Sequence, residues 1–279
     1  MAQVPYLGSL HAQAPGGPRI IEEIKKQQDI YQSQKFEGYV IDRSLYSYIE
    51  TMPEKFIRSL ANLDQKQRWL DIGAGEANAM LDYFTPKYDE LRAKEYPLRS
   101  GKAGAVALSI EDRRTARWRQ TAASLERNKI QYLFGRGFGE YSAQELGKFQ
   151  VITDLLGGFS YTTHLTRYME RALAVMDPGG DLYAVLQDVQ SENGGNKPFY
   201  AGAPYLTELT RADGKELKVC AWLKSISCVQ VTCELRPEWK PPIEVYHVQK
   251  TCIDVNVPEL LPLHFVAGTP PERGFQLKN

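Results

Sequence analysis

From residue 68 onward, short apolar runs alternate with helix-length amphipathic stretches. The runs are Arg68 to Ile72, Ala105 to Ile110, Ile130 to Phe134, Phe149 to Asp154 and Asp181 to Gln187. Each is short and rich in apolar residues, as a strand is. The stretches between them follow a helical period. One begins near Glu76. A second, EDRRTARWRQTAASLERN, puts Trp118, Ala122 and Leu125 on one side. A third runs from Thr163 to Met176 and is stopped by Asp177-Pro178-Gly179-Gly180. Strands separated by helix-length segments predict a parallel sheet joined by right-handed crossovers.

After the fifth strand the rhythm changes. Residues 188–216 are longer than an ordinary connection and read as an insert containing a short helix-like stretch. A helix over Lys215 to Ile226 follows, then two strands, Cys228 to Leu235 and Ile243 to Thr251. The prolines of RPEWKPP between them predict a reversal and an antiparallel pair. Ahead of the first strand, residues 1–19 read as a loose arm rich in Pro and Gly. Ile20, Ile21, Ile24, Ile30 and Tyr31, and then Tyr46, Ile49, Phe56, Ile57 and Leu60, sit at helical spacing. The expected fold is α/β: a Rossmann-like three-layer sandwich with a mostly parallel seven-stranded sheet, its last strand antiparallel, and a helical N-terminal extension. Residues 1–64 are the arm and a helical lid segment, and residues 65–279 the main domain with the insert 188–216.

Composition narrows the partners. The 279 residues carry 34 basic and 34 acidic side chains, so no global field draws nucleic acid or an anionic membrane. Without an apolar stretch long enough to span a bilayer, or a charged and apolar leader, the chain reads as cytoplasmic. Cys220, Cys228, Cys233 and Cys252 fit neither CxxC nor zinc-knuckle spacing. The expectation is reduced, buried thiols and no metal.

The chemistry is concentrated at Asp71-Ile72-Gly73-Ala74-Gly75, where the first strand ends and a helix starts. Glycines there allow a sharp turn and a close approach to the backbone. Open α/β sheets bind ligands at this edge. A dinucleotide loop would need a third glycine at Asn78, and a pyrophosphate would be repelled by Asp71, whereas a cationic amino-acid moiety would be attracted. That disfavours a nicotinamide-dependent oxidoreductase.

DIGAG after an apolar strand resembles the first motif of class I S-adenosylmethionine-dependent methyltransferases, and the resemblance extends over residues 65–190. It implies that Asp71, Gly73, Ala74 and Gly75 hold the amino-acid end of S-adenosylmethionine. The ribose falls to the end of the second strand, where Ser109 stands in the place of the usual acid and Glu111 is the stronger acceptor. Glu111 also reads as a helix-start carboxylate. The acid expected near adenine is absent, leaving the backbone of Arg136 and Gly137 or the ring of Phe138. Asp154 and Leu155 mark the edge where methyl passes to substrate.

Methyl transfer is an in-line displacement, for which positioning supplies much of the acceleration. Where the acceptor must lose a proton, His164 is the candidate base, with Tyr161 beside it; His164 also reads as a helix-capping residue. Tyr39, Phe159 and Tyr200 are the candidate substrate contacts. The Asn/Asp-Pro-Pro-aromatic motif of base-amine methyltransferases is replaced by Asp154-Leu155-Leu156-Gly157, which argues against exocyclic base amines as acceptors. DLLGGF loosely resembles the corresponding strand end of protein arginine methyltransferases but lacks their double acid. The expectation is a small-molecule acceptor at oxygen or nitrogen, with a peptide or protein second and a non-catalytic cofactor-binding module as a further alternative. Neither a Ser/His/Asp sequence pattern nor HExxH is present. The oligomeric state is not legible.

Overall fold

The computed structural model of the protein describes residues 18–32, 40–85, 102–126, 129–187, 206–239 and 242–279. Its strands in chain order are β1 (Arg68–Ile72), β2 (Gly104–Leu108), β3 (Ile130–Leu133), β4 (Phe149–Leu155), β5 (Met176–Gln187), β6 (Thr207–Thr210), β7 (Val229–Arg236), β8 (Ile243–Lys250), β9 (Leu260–Val266) and β10 (Glu272–Leu277). Helices are α1 (Pro18–Gln32), α2 (Leu45–Thr51), α3 (Lys55–Ala61), α4 (Asn78–Phe84), α5 (Ala116–Ser124), α6 (Ala143–Leu146), α7 (Gly158–Tyr161), α8 (Leu165–Val175) and α9 (Val219–Lys224).

Seven strands form the main sheet in the order β3-β2-β1-β4-β5-β8-β7. The first five are parallel, and β8 runs antiparallel to both β5 and β7. That order, with one antiparallel strand inserted beside β5, is the mostly parallel, Rossmann-like α/β arrangement the sequence predicts. The chain reverses its direction of travel across the sheet between β1 and β4. In open α/β sheets ligands bind outside the carboxyl ends of strands at such a switch point.

Alternate residues of each strand feed two cores. Leu70 and Ile72 join Val106, Leu108 and Ile152 on one face, with Leu165, Tyr168, Met169, Ala172 and Leu173 of α8. Trp69 joins Ala105, Ala107 and Val151 on the other, with Tyr48, Phe56 and Leu60 of α2 and α3 and Met80 of α4. The helical N-terminal segment thus shares the core of the sheet. At the end of α8, the buried Lys250 ammonium donates to the carbonyls of Leu173 at 2.7 Å and Met176 at 3.0 Å. A cation there answers the carbonyls left open by the last turn.

The structure differs from the sequence expectation in several places. Helix α5 is shorter than the stretch read as helical, because Thr115 caps it and accepts from Trp118 N–H. β5 starts at Met176 instead of Asp181, and Asp177–Gly180 form its irregular opening, with Gly179 at φ +81°. In the insert, residues 188–205 lie outside the described residues, and the part read as helix-like contains strand β6. β6, β10 and β9 build a second, three-stranded sheet absent from the sequence reading. β10 is its centre, parallel to β6 and antiparallel to β9. Finally, the cysteines are not thiols: Cys220 is bonded to Cys233 and Cys228 to Cys252. No described helix is long and apolar enough to cross a membrane.

Candidate cofactor and active site

The loop after β1 is turned by Gly73 at φ +77° and Gly75 at φ +54°, left-handed conformations that favour glycine. The N–H groups of Gly73 and Ala74 both donate to Leu108 O, at 2.9 and 3.0 Å, continuing the β1–β2 pairing into the turn. Both glycines also face close backbone. A Cβ on Gly73 would stand 2.6 Å from Gly157 Cα, and one on Gly75 2.2 Å from Ile41 O. Gly157 belongs to the loop after β4, so the two loops at the switch point pack glycine against glycine. Ile41 belongs to Val40–Ser44, the stretch leading into α2, and its carbonyl accepts Glu76 N–H at 2.7 Å.

Beneath these loops lie two fully buried carboxylates. Asp71 accepts the Tyr48 hydroxyl at 2.8 Å on one oxygen and the Thr153 hydroxyl at 2.7 Å on the other. Thr153 Oγ1 in turn accepts the Trp69 indole N–H at 2.8 Å. Burial pushes the Asp71 carboxyl up to about 7, against the pull of the Thr153 and Tyr48 hydrogen bonds. Asp154 accepts Gly157 N–H at 2.8 Å, Phe159 N–H at 2.8 Å and the Tyr168 hydroxyl at 2.6 Å. Burial raises it to about 6, opposed by the same three donors. Both acids therefore brace the loops from within: Asp71 ties α2 to β1 and β4, and Asp154 shapes the turn that carries Gly157.

At the ends of β2 and β3 the predicted positions separate. Ser109 is buried beside Tyr132. The Tyr132 hydroxyl donates to Gly75 O at 2.5 Å and faces Glu111 O at 3.2 Å, joining the glycine loop to the loop after β2. Glu111 is paired with Arg113 at 2.8 Å and keeps a partly open side chain. Asp112 is held by Arg114 and falls to about 2 through that hydrogen bond. Between these groups two large apolar side chains face solvent, Ile110 at 37% and Phe134 at 45% exposure. Gly135 N–H donates to Ile110 O at 2.9 Å, which holds the two loop ends together. The Arg114 guanidinium lies 5.1 Å from the Phe134 ring centre.

Further along, the structure corrects the aromatic assignment. Phe138 is buried, 5.3 Å from the Tyr168 ring, so its ring belongs to the core. Arg136 is exposed, 3.1 Å from Glu145 and 3.9 Å over the Tyr141 ring, and Gly137 N–H is taken by Glu140 at 2.6 Å. Phe159 is likewise core, packed on Tyr168 and Tyr246 at 5.4 and 5.8 Å. Tyr39 and Tyr200 lie outside the described residues.

On the side of β4, Leu155 is buried at the strand end, while Tyr161, the last residue of α7, and His164, just ahead of α8, are half-buried. His164 precedes the first residue of α8, as the capping reading had it, but makes no side-chain cap. Its imidazole is lowered by burial and by Arg167, which favours the neutral, proton-accepting form. The second sheet grips residues 162–166. Arg273 of β10, fully buried, donates from Nη1 to Thr162 O at 2.7 Å and from Nε to Thr207 Oγ1 at 3.0 Å. Leu260 N–H donates to Thr166 Oγ1 at 2.7 Å.

A second polar cluster sits at the opposite, amino edge of the sheet. Asp181 accepts from His247 Nε2 at 2.7 Å, Ser59 at 3.0 Å and Lys55 at 3.2 Å. Ser59 meets Asp181 and the Tyr183 hydroxyl rather than the imidazole, so the three residues are a hub on one carboxylate and not a nucleophile with its base. They fasten α3 to β5 and β8. Thr153, Tyr132 and Arg273 were not singled out in the sequence. Their roles come from cross-sheet neighbours, and the strand register Asp71 opposite Thr153 is the one signal that anticipates a pair.

No protein-family model and no curated protein matches the chain. Solved structures do. An rRNA methylase from Streptococcus thermophilus is 13% identical over 77% of this chain and 100% of its own, with a TM-score of 0.45. A precorrin-6y C5,15-methyltransferase from Geobacter metallireducens GS-15 is 11% identical over 71% and 87%, with a TM-score of 0.39. The antibiotic-resistance methyltransferase Kmr is 14% identical over 71% and 92%, with a TM-score of 0.40. The assignment of the fold rests on strand order and direction.

Proposed function

We propose that the chain binds S-adenosylmethionine across the carboxyl ends of β1, β2 and β3 and directs its methyl group to oxygen or nitrogen of a small molecule at the end of β4. The observation that carries this reading is the exposed pair Ile110 and Phe134, hydrogen-bonded loop to loop at the edge next to the glycine turn. Large apolar side chains held open at the carboxyl ends of β2 and β3 suit a flat heterocycle, since covering them removes apolar surface from water. Glu111, half open beside them, is the acceptor for ribose hydroxyls. The backbone of Gly73–Gly75 takes the amino-acid end.

S-adenosylmethionine supplies an electrophilic methyl group. The residues of the chain supply alignment: Leu155 closes the strand end, and Tyr161 and His164 face the acceptor. His164, neutral at pH 7, removes the acceptor proton where one must leave. The test is calorimetric titration with S-adenosylhomocysteine and with NAD on the unaltered protein, Phe134→Ala and Ile110→Ala. Micromolar affinity for S-adenosylhomocysteine, weakened at least about fivefold by either substitution, is expected, since each removes roughly 1–2 kcal/mol of apolar contact. Preference for NAD, or affinity indifferent to both substitutions, overturns the reading. A following methylation screen with labelled cofactor, small nucleophiles, peptides and RNA identifies the acceptor class.

A further inference from the structure

All four cysteines are used in the two disulfides, with Cα separations of 6.1 Å for Cys220–Cys233 and 5.2 Å for Cys228–Cys252. Both distances suit a disulfide. Their positions share one purpose. Residues 251–259 carry the chain from β8 in the main sheet to β9 in the second, and both bonds brace that connection.

Cys252 lies on the connection, and its bond to Cys228 fixes it against the turn ahead of β7. Hydrogen bonds run alongside: Thr251 N–H to Cys228 O at 2.8 Å, Ser227 N–H to Asn256 O at 3.0 Å and Asn256 N–H to Ser227 Oγ at 2.7 Å. The second bond acts through a helix. Cys233 of β7 holds Cys220 of α9, and Trp222 of α9 donates its indole N–H to Pro258 O at 2.9 Å. Most of the connection is open to solvent, Ile253 at 76% exposure, and Val257 is its one buried residue. Cys228 stands at φ +59°, a backbone conformation that a non-glycine residue holds only when its surroundings dictate it. Beyond the cross-links, the second sheet is held by Leu209, Leu260 and Phe275, which are buried in the same core as α8.

The second sheet in turn holds the segment bearing His164, through Arg273 to Thr162 O and Leu260 N–H to Thr166 Oγ1. We propose that the two disulfides are a redox-sensitive clamp that sets how firmly the second sheet is docked on residues 162–166. Each bond forms by exchange with a disulfide oxidant such as oxidised glutathione. One S–S bond forms in the protein as the oxidant's breaks, two electrons pass to the oxidant, and the two protein thiol protons end on the two released thiols. A thiol reductant reverses the step. The clamp operates whatever group the site transfers, and it is at odds with a compartment that keeps thiols reduced.

The experiment joins thiol counting to hydrogen exchange. Protein equilibrated with oxidised glutathione and denatured without reductant should show none of its four thiols reactive, and all four after dithiothreitol. Native reduced protein should exchange the amides of β9, β10 and residues 162–166 at least tenfold faster than oxidised protein, with β1 and β4 unchanged. The paired variants Cys228→Ser/Cys252→Ser and Cys220→Ser/Cys233→Ser, each with an unaltered circular dichroism spectrum, should each give part of that acceleration. Thiols that stay reactive after oxidation overturn the proposal. So does equal exchange in both redox states. Acceleration spread evenly through β1 and β4 overturns it too, in favour of a global staple.

Discussion

Asp71 is the most informative residue to neutralise. Its carboxyl stands at about 7 in the folded chain against an ordinary 3.8, because burial disfavours the charge more than Tyr48 and Thr153 favour it. A shift of about three units corresponds to roughly 4 kcal/mol of disfavoured ionisation. The folded state binds this proton more tightly than the unfolded chain does. Stability from Asp71 is therefore fully present below about pH 4 and lost progressively as pH rises towards 7. Asp71→Asn cannot titrate and keeps a hydrogen-bonding group towards each hydroxyl. Between pH 5 and pH 8 the unaltered protein should lose about 2.5 kcal/mol relative to the variant. Asp154 titrates in both proteins, so its contribution largely cancels in the difference. The assay is urea unfolding of both proteins at half-unit pH steps, read as the difference in unfolding free energy. Parallel curves would refute the reasoning, because they would mean that Asp71 keeps an ordinary carboxyl affinity through solvent or a cation.

Other substitutions probe neighbouring contacts. Tyr48→Phe removes only the hydroxyl that Asp71 accepts at 2.8 Å; unfolding at pH 8 should show a loss of about 1.5–3 kcal/mol, as for other bonds to charged groups. Gly75→Ala places a Cβ 2.2 Å from Ile41 O at a left-handed residue. It should cost about 2–3 kcal/mol and speed amide exchange at residues 40–44, as seen by mass spectrometry. His164→Ala should lower single-turnover methylation by about 10²–10⁴-fold for an acceptor that must lose a proton, with S-adenosylhomocysteine affinity unchanged by calorimetry. An equal loss in affinity would place His164 at the cofactor instead.

The main sheet was legible because its strands are short runs rich in apolar residues, separated by helix-length stretches, and the glycines after β1 announce the edge that matters. Register and cross-sheet partners are not written locally. Asp71 looked like a ligand-facing acid; only the fold brings Tyr48 over one oxygen and Thr153 to the other. Phe138 and Phe159 follow glycines at strand ends, where a ring reads as a ligand contact, but each turns inward onto Tyr168. The second sheet was missed for local reasons. β9 contains Pro262, which argues against a strand, and β10 contains Gly274, whose missing Cβ is filled by the His264 ring across the pair. The cysteine pairs escaped notice because their spacing matches no motif, and only β7, α9 and the connection after β8 bring them together.

β10 comes last among the strands yet lies between the other two of its sheet. Until residues 272–277 have been made, strand β6 therefore has only the local bridge from Thr210 to Glu216, and within the described residues β9 pairs with that same strand β10. Helix α1 waits as well: its Glu23 and Gln27 accept the N–H groups of Ala267 and Gly268, at 2.9 and 3.0 Å. All seven strands of the main sheet precede residues 267–277 in the chain, so the second sheet and its contact with α1 close against a main sheet already made. A nascent or clipped chain lacking residues 272–277 would leave β6 and β9 with bare edges, the kind of surface that pairs with other chains.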